Sequence, residues 1–152
     1  MTTRDAVLKY QETMTDTQVP VIDLDLVDPV SALVLEVEST NGATSNKGNF
    51  ISDIVTKIEL VDGGVSYVSL NMAQLEALYF YKTGKMPTMF PSEWGGGGQR
   101  HSCPLLFGRY LWDRAYAFFP PNFRNPQLKI TFNKAVIRAA AADDQVLAYL
   151  QV

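Results

Sequence analysis

IVTKIELVDGGVSYVSLNMAQLEALYFYKTG, residues 54–84, reads as a β-hairpin that runs directly into a short amphipathic helix. Ile58 and Leu60 alternate with Lys57 and Glu59, so the first strand has one apolar and one charged face. Asp62-Gly63 supplies the backbone freedom of a two-residue type I′ turn. That turn sets Leu60 opposite Val65, Ile58 opposite Tyr67 and Thr56 opposite Ser69, with the first two pairs expected to point inward. A slip of one residue would turn Lys57 and Glu59 toward the core, which specifies the register. Beyond the hairpin, Asn71 is placed to cap a helix over 72–82, with Gln74 at the N3 position of a capping box. Met72, Leu75, Leu78 and Tyr79 form its buried stripe; Gly84 ends it and Pro87 forbids continuation.

A chain of 152 residues fits one domain able to bury about two-thirds of its unfolded surface. Charged residues are only 19% of the total, against roughly 25% in soluble domains. Two readings of this thin charge stay open: surface reserved for protein contact, or solubility carried by Ser, Thr, Asn and Gln. The net charge of −3, without a Lys or Arg run, argues against a broad nucleic-acid-binding face. Cys103 is the sole cysteine, so no intrachain disulfide framework exists. The N-terminus shows no apolar signal-peptide core, and no stretch reaches the ~18 apolar residues of a membrane-spanning helix.

Upstream of the hairpin, residues 3–14 place Ala6, Val7, Tyr10 and Met14 at helical spacing. This is an amphipathic helix or arm, marginal alone, that docks on its own domain or on a neighbouring subunit. From 19 to 26, Ile22, Leu24 and Leu26 alternate with Val19, Val21, Asp23 and Asp25 as a strand, and Pro20 places its start at a sheet edge. Residues 32–38 form a second strand with Leu33, Leu35 and Val37 facing in. The acidic residues Asp23, Asp25, Glu36 and Glu38 read as solvated outer faces in preference to a carboxylate site. Residues 39–49 are a polar loop.

Residues 85–103 read as an irregular segment and surface loop containing Trp94 and the run Gly95-Gly96-Gly97-Gly98. The run lacks the spaced glycines and Lys-Ser/Thr of a phosphate loop. His101 and Cys103 have no companion His or Cys for a metal site, and at i and i+2 on a strand they share a face without forming a catalytic pair. No catalytic residue, cofactor site or metal site is therefore expected.

From Leu105 the chain reads as strand crowded with aromatics, with a bulge or close approach at Gly108, turns at Pro120-Pro121-Asn122 and Asn125-Pro126, and a sharply alternating strand at 127–132. The aromatics beside Arg109, Arg114 and Arg124 read as packed core with Arg anchors in preference to a nucleic-acid stacking surface. Residues 135–144 are a short helix or a low-complexity excursion, and 146–152 resume strand pattern. The tally, seven or eight strands with one inserted helix and paired long loops, predicts an all-β jelly-roll sandwich over 19–152, preceded by an arm at 1–18.

Several stretches carry a family resemblance: Thr56-Lys57-Ile58-Glu59-Leu60, then Gly63-Gly64 and the helix after Leu70; Pro104-Leu105-Leu106-Phe107-Gly108-Arg109; and Asn125-Pro126-Gln127-Leu128-Lys129-Ile130-Thr131-Phe132. In this layout the chain resembles the N-terminal jelly roll of a double-jelly-roll major capsid protein. A full member of that family is about twice as long, so the chain is a single-roll version or a fragment ending with the first roll. The resemblance implies a structural virion protein that builds an icosahedral shell by self-association, as a trimer or ring touching neighbouring capsid subunits. It implies no specific nucleic acid, and a place near an internal viral membrane. Val7 and Tyr10 of the arm, with Met89, Phe90 and Trp94 of the 85–103 segment, are the expected interface. A phage tail or baseplate subunit or carbohydrate-binding jelly roll, with Trp94 and Trp112 over a shallow groove, is the other non-enzymatic reading. A cupin-type enzyme is disfavoured by the single His.

Overall fold

The computed structural model describes residues 6–10, 12–14, 17–40, 50–92, 94–111 and 113–134. Two antiparallel sheets share one core, with one α-helix among the described residues. The strands are β1 (Thr17–Gln18), β2 (Val21–Asp23), β3 (Ala32–Thr40), β4 (Val55–Asp62), β5 (Val65–Leu70), β6 (Thr88–Phe90), β7 (Gly98–Leu106) and β8 (Pro126–Asn133). Helix α1 spans Met72–Thr83. In the larger sheet β8 lies between β4 and the β1/β2 edge, and β5 flanks β4; in the smaller sheet the order is β3-β7-β6.

β1 and β2 are one edge strand interrupted at Pro20, since Gln18 faces Phe132 and Val21 faces Lys129 in unbroken register. Proline cannot donate to a ladder, but its carbonyl still accepts from the Ile130 N–H at 3.1 Å. The sheet thus begins at Thr17, inside the stretch read as an arm. β3 buries Leu33, Leu35 and Val37 as its alternation requires, and β8 buries Leu128, Ile130 and Phe132. The inner faces of both sheets meet in this core. A 3₁₀ turn at Ile51–Ile54 adds two fully buried isoleucines.

The hairpin forms, but its register differs from the expected one. The turn is Gly63-Gly64, both at positive φ (55° and 101°), a pair of conformations that favours glycine at both positions. Asp62 faces Val65 and Val61 faces Ser66, then a bulge sets Leu60 opposite Val68 and Ile58 opposite Leu70. Tyr67 is the extra residue. Without it Tyr67 and Ser69 would stand opposite Leu60 and Ile58, and Val68 and Leu70 would lose the core. Val65 and Tyr67 are consequently exposed.

Helix α1 follows expectation. The Asn71 side chain accepts from the Gln74 N–H at 2.8 Å and the Gln74 side chain accepts from the Asn71 N–H at 2.9 Å. Gly84 caps the other end at φ 69°. Met72 and Leu75 are buried, with Leu78 and Tyr79 packed against the core. Lys82 Nζ donates to the Leu106 carbonyl at 2.6 Å, tying the last helical turn to the end of β7.

Three further expectations change. Residues 98–103 are not loop: they open β7, whose Gln99, His101, Cys103 and Leu105 face inward. β7 ends at Leu106, and the described residues of 107–119 run in turns and bends, joined to the sandwich by an antiparallel bridge between Val30 and Phe118. The described residues of the arm carry no helix; they dock through Leu8 and the fully buried Met14, a spacing no helical stripe provides. Of the loop expected at 39–49, Ser39 and Thr40 belong to β3; residues 41–49, Trp112, and the helix and strand expected at 135–152 lie outside the described residues.

Candidate interaction surface

β6 pairs with β7 so that Phe90 faces Arg100, Met89 faces His101 and Thr88 faces Ser102. Directly opposed residues share a face. Phe90 therefore lies on the outer face and is 60% exposed, whereas Met89 turns inward beside the buried His101. Past Phe90 the chain turns through Trp94, which is 78% exposed, with the Gly97 N–H donating to its carbonyl. In the arm, Val7 and Tyr10 are exposed while their neighbours Leu8 and Met14 hold the segment down. Four of the five expected interface residues thus stand exposed; Met89 is half-buried.

The outer row continues across the sheet: Arg100 faces Glu38 of β3, next to Glu36. Arg100 bonds Glu36 through Nη2 and Glu38 through Nε at 3.1 Å. Those carboxylates raise the guanidinium pKa, chiefly through the Glu36 hydrogen bond.

The turns at 107–111 and 113–119 display a second aromatic surface. Phe107, Phe118 and Phe123 pack in sequence, with ring centroids 5.1 and 4.8 Å apart, and Tyr67 meets Phe123 edge-on at 5.3 Å. Tyr110, Leu111 and Tyr116 face solvent. The Arg109 guanidinium lies 5.8 Å from the Tyr110 ring centre and 5.2 Å from that of Tyr116. Buried Asp113 fixes it, accepting from Arg109 Nε at 2.9 Å and from its backbone N–H at 3.2 Å. The hydrogen bond from Arg109 holds Asp113 below the usual carboxylate range. Gly108 is required here, because a Cβ would lie 2.8 Å from that of Asp113. Phe107, Phe118 and Phe123 pack as expected; Phe119 and the tyrosines do not. An even scatter of aromatics along 107–123 carries no period that separates the two groups.

Beneath the smaller sheet, His101 is fully buried with Nε2 3.3 Å from Glu76 Oε1 of α1. The pair is within ionic reach but not aligned as a hydrogen bond, so both imidazole nitrogens lack a partner among the described residues. Burial pushes His101 down; burial, then the nearby Asp53 charge, push Glu76 up. Burial and Glu76 push the Cys103 thiol up to about 12. Only about one part in 10⁵ of such a thiol is ionised at neutral pH, which is the opposite of an activated nucleophile. Among the described residues no three His, Cys, Asp or Glu side chains gather where they could hold a metal ion.

No family model, curated protein or solved structure matches this chain.

Proposed function

We propose that this chain is a structural virion protein, a shell subunit that acts through contacts with further copies of itself. The observation that carries the reading is the exposure of Val7, Tyr10, Phe90 and Trp94 on segments fixed by buried neighbours and strand pairing. Large apolar side chains so placed are the usual raw material of protein contacts. Strand pairing supports the jelly-roll part of the proposal, because β2 pairs with β8 and β3 with β7, nested as in such a roll. The β4–β5 hairpin departs from that pattern by staying in one sheet, with α1 following it.

Removing the whole arm is a poor test, since Met14 belongs to the core. The better variants are Val7→Ser with Tyr10→Ser, and Phe90→Ser with Trp94→Ser. Each pair should lower the sedimenting mass of the assembly while circular dichroism stays unchanged. Assemblies that form equally well with both pairs in place would overturn the assignment of these contacts.

A further inference from the structure

Within the run Gly95–Gly98, the backbone requires glycine at 96 and 97 but not at 98. Gly96 adopts φ 72°, the left-handed region, and a Cβ on Gly97 would lie 2.0 Å from Ser92 Oγ. Gly98 is under neither constraint. Its φ is not positive, and a Cβ would meet nothing nearer than the Ser39 carbonyl at 3.9 Å, an ordinary contact. It pairs with Thr40 at the start of β7, where a β-branched residue would strengthen the strand. Glycine there costs backbone entropy without serving local geometry, and glycines in strands often mark the approach of a ligand.

The missing side chain leaves an open hollow of about 310 Å³ bordered by Glu38, Thr40, Phe90, Gly98 and Arg100. Small-molecule sites begin near this size, roughly 300 Å³. One wall is the exposed Phe90 ring, and the other is the guanidinium of Arg100 pinned between Glu36 and Glu38. Two carboxylates against one guanidinium disfavour an anion. A purely apolar guest would strip water from this ion cluster without replacing its hydrogen bonds. An uncharged polyhydroxylated ring meets both conditions. Its hydroxyls donate to the spare lone pairs of Glu38 and accept from the remaining Arg100 N–H groups, with Thr40 able to do either. Its C–H face lies on the electron-rich face of Phe90.

We propose that the hollow over Gly98, between Phe90 and the Arg100–Glu38 pair, binds a neutral sugar. This goes beyond the shell-subunit reading and stands or falls separately from it.

The test is a titration of ¹⁵N-labelled full chain, followed by amide chemical shifts, with the methyl glycosides of glucose, galactose and mannose and with N-acetylneuraminic acid. Because a copy packed on Phe90 would compete, the protein is kept below the concentration at which it assembles. At least one neutral glycoside should shift the amides of Gly98, Arg100 and Thr40 with a millimolar dissociation constant. Gly98→Val, for which the backbone has room, should weaken binding at least about tenfold while leaving the remaining spectrum in place. Phe90→Ala should weaken it as well, and serves alone if Gly98→Val does not fold. No shift with any neutral glycoside, equal binding by the variants, or tighter binding of the acidic sugar would overturn the proposal.

Discussion

Leu60 of β4 stands opposite Val68 of β5, with Tyr67 displaced as the extra residue of a bulge. The displaced ring lies edge-on to Phe123, so the bulge both keeps Val68 and Leu70 facing the core and places Tyr67 against the packed phenylalanines. Val68 is half-buried against the core, so a charge at 68 loses part of its hydration, whereas one at 67 reaches water. Val68→Asp should cost roughly 3 kcal/mol in chemical unfolding, and Tyr67→Asp about 1 kcal/mol for the lost ring contact. A reversed order would show that the hairpin pairs without the bulge.

Helix α1 depends on its two ends. Asn71→Ala removes the side-chain acceptor of the Gln74 N–H and should cost about 1 kcal/mol. Gly84→Ala places a Cβ at φ 69° and should cost about as much. Urea denaturation midpoints read both; two neutral substitutions would mean that the caps do not hold the helix.

His101 and Glu76 pull the pH dependence of stability in opposite directions. An exposed imidazole takes up its proton near 6.5, but buried His101 resists, so the unfolded chain binds more protons as pH falls through that value. Stability contributed by neutral His101 is thus complete above about 6.5 and declines below it, by at most about 1.4 kcal/mol per pH unit. Glu76 has a raised pKa, so the native state takes up its proton first and regains stability as pH falls toward 4.5. His101→Leu should flatten the upper part of the profile, and Glu76→Gln should steepen the lower part. Urea melts at a series of pH values measure both slopes. An unchanged profile for His101→Leu would contradict the burial of a neutral imidazole.

Regular alternation is what made β2, β3 and β8 legible: Val37, Leu128 and Ile130 alternate with polar residues, and Ile22, Leu33 and Leu35 keep the same period of two beside Val21, Ala32 and Val34. The caps of α1 were equally plain. β7 has the same period, Gln99, His101, Cys103 and Leu105 inward, but polar and glycine residues hide it. Pro104 adds to the disguise. It is tolerated because the described β6 pairing stops at Ser102, so no β6 neighbour calls for its missing N–H. The bulge at Tyr67 was illegible from alternation alone, since it exists to break it. Gly64 beside Gly63 was the available sign that the turn lay one residue later. For the surface, Phe90 and Trp94 were expected at a protein contact and stand exposed in the single chain, whereas placing Met89 required the register with His101 to be known. Gly98 disclosed its hollow only once its neighbours could be measured.

A shell subunit must associate with copies of itself, which sedimentation velocity of the full chain over a rising concentration series reads out. Specific interfaces bury at least about 1,000 Å² in total, and a shell subunit needs several. A discrete species of trimer mass or larger should grow at the expense of monomer and be reduced by the paired Val7 and Tyr10 substitutions. A chain that remains monomeric at the highest concentration reached, with those substitutions changing nothing, would contradict the shell-subunit reading.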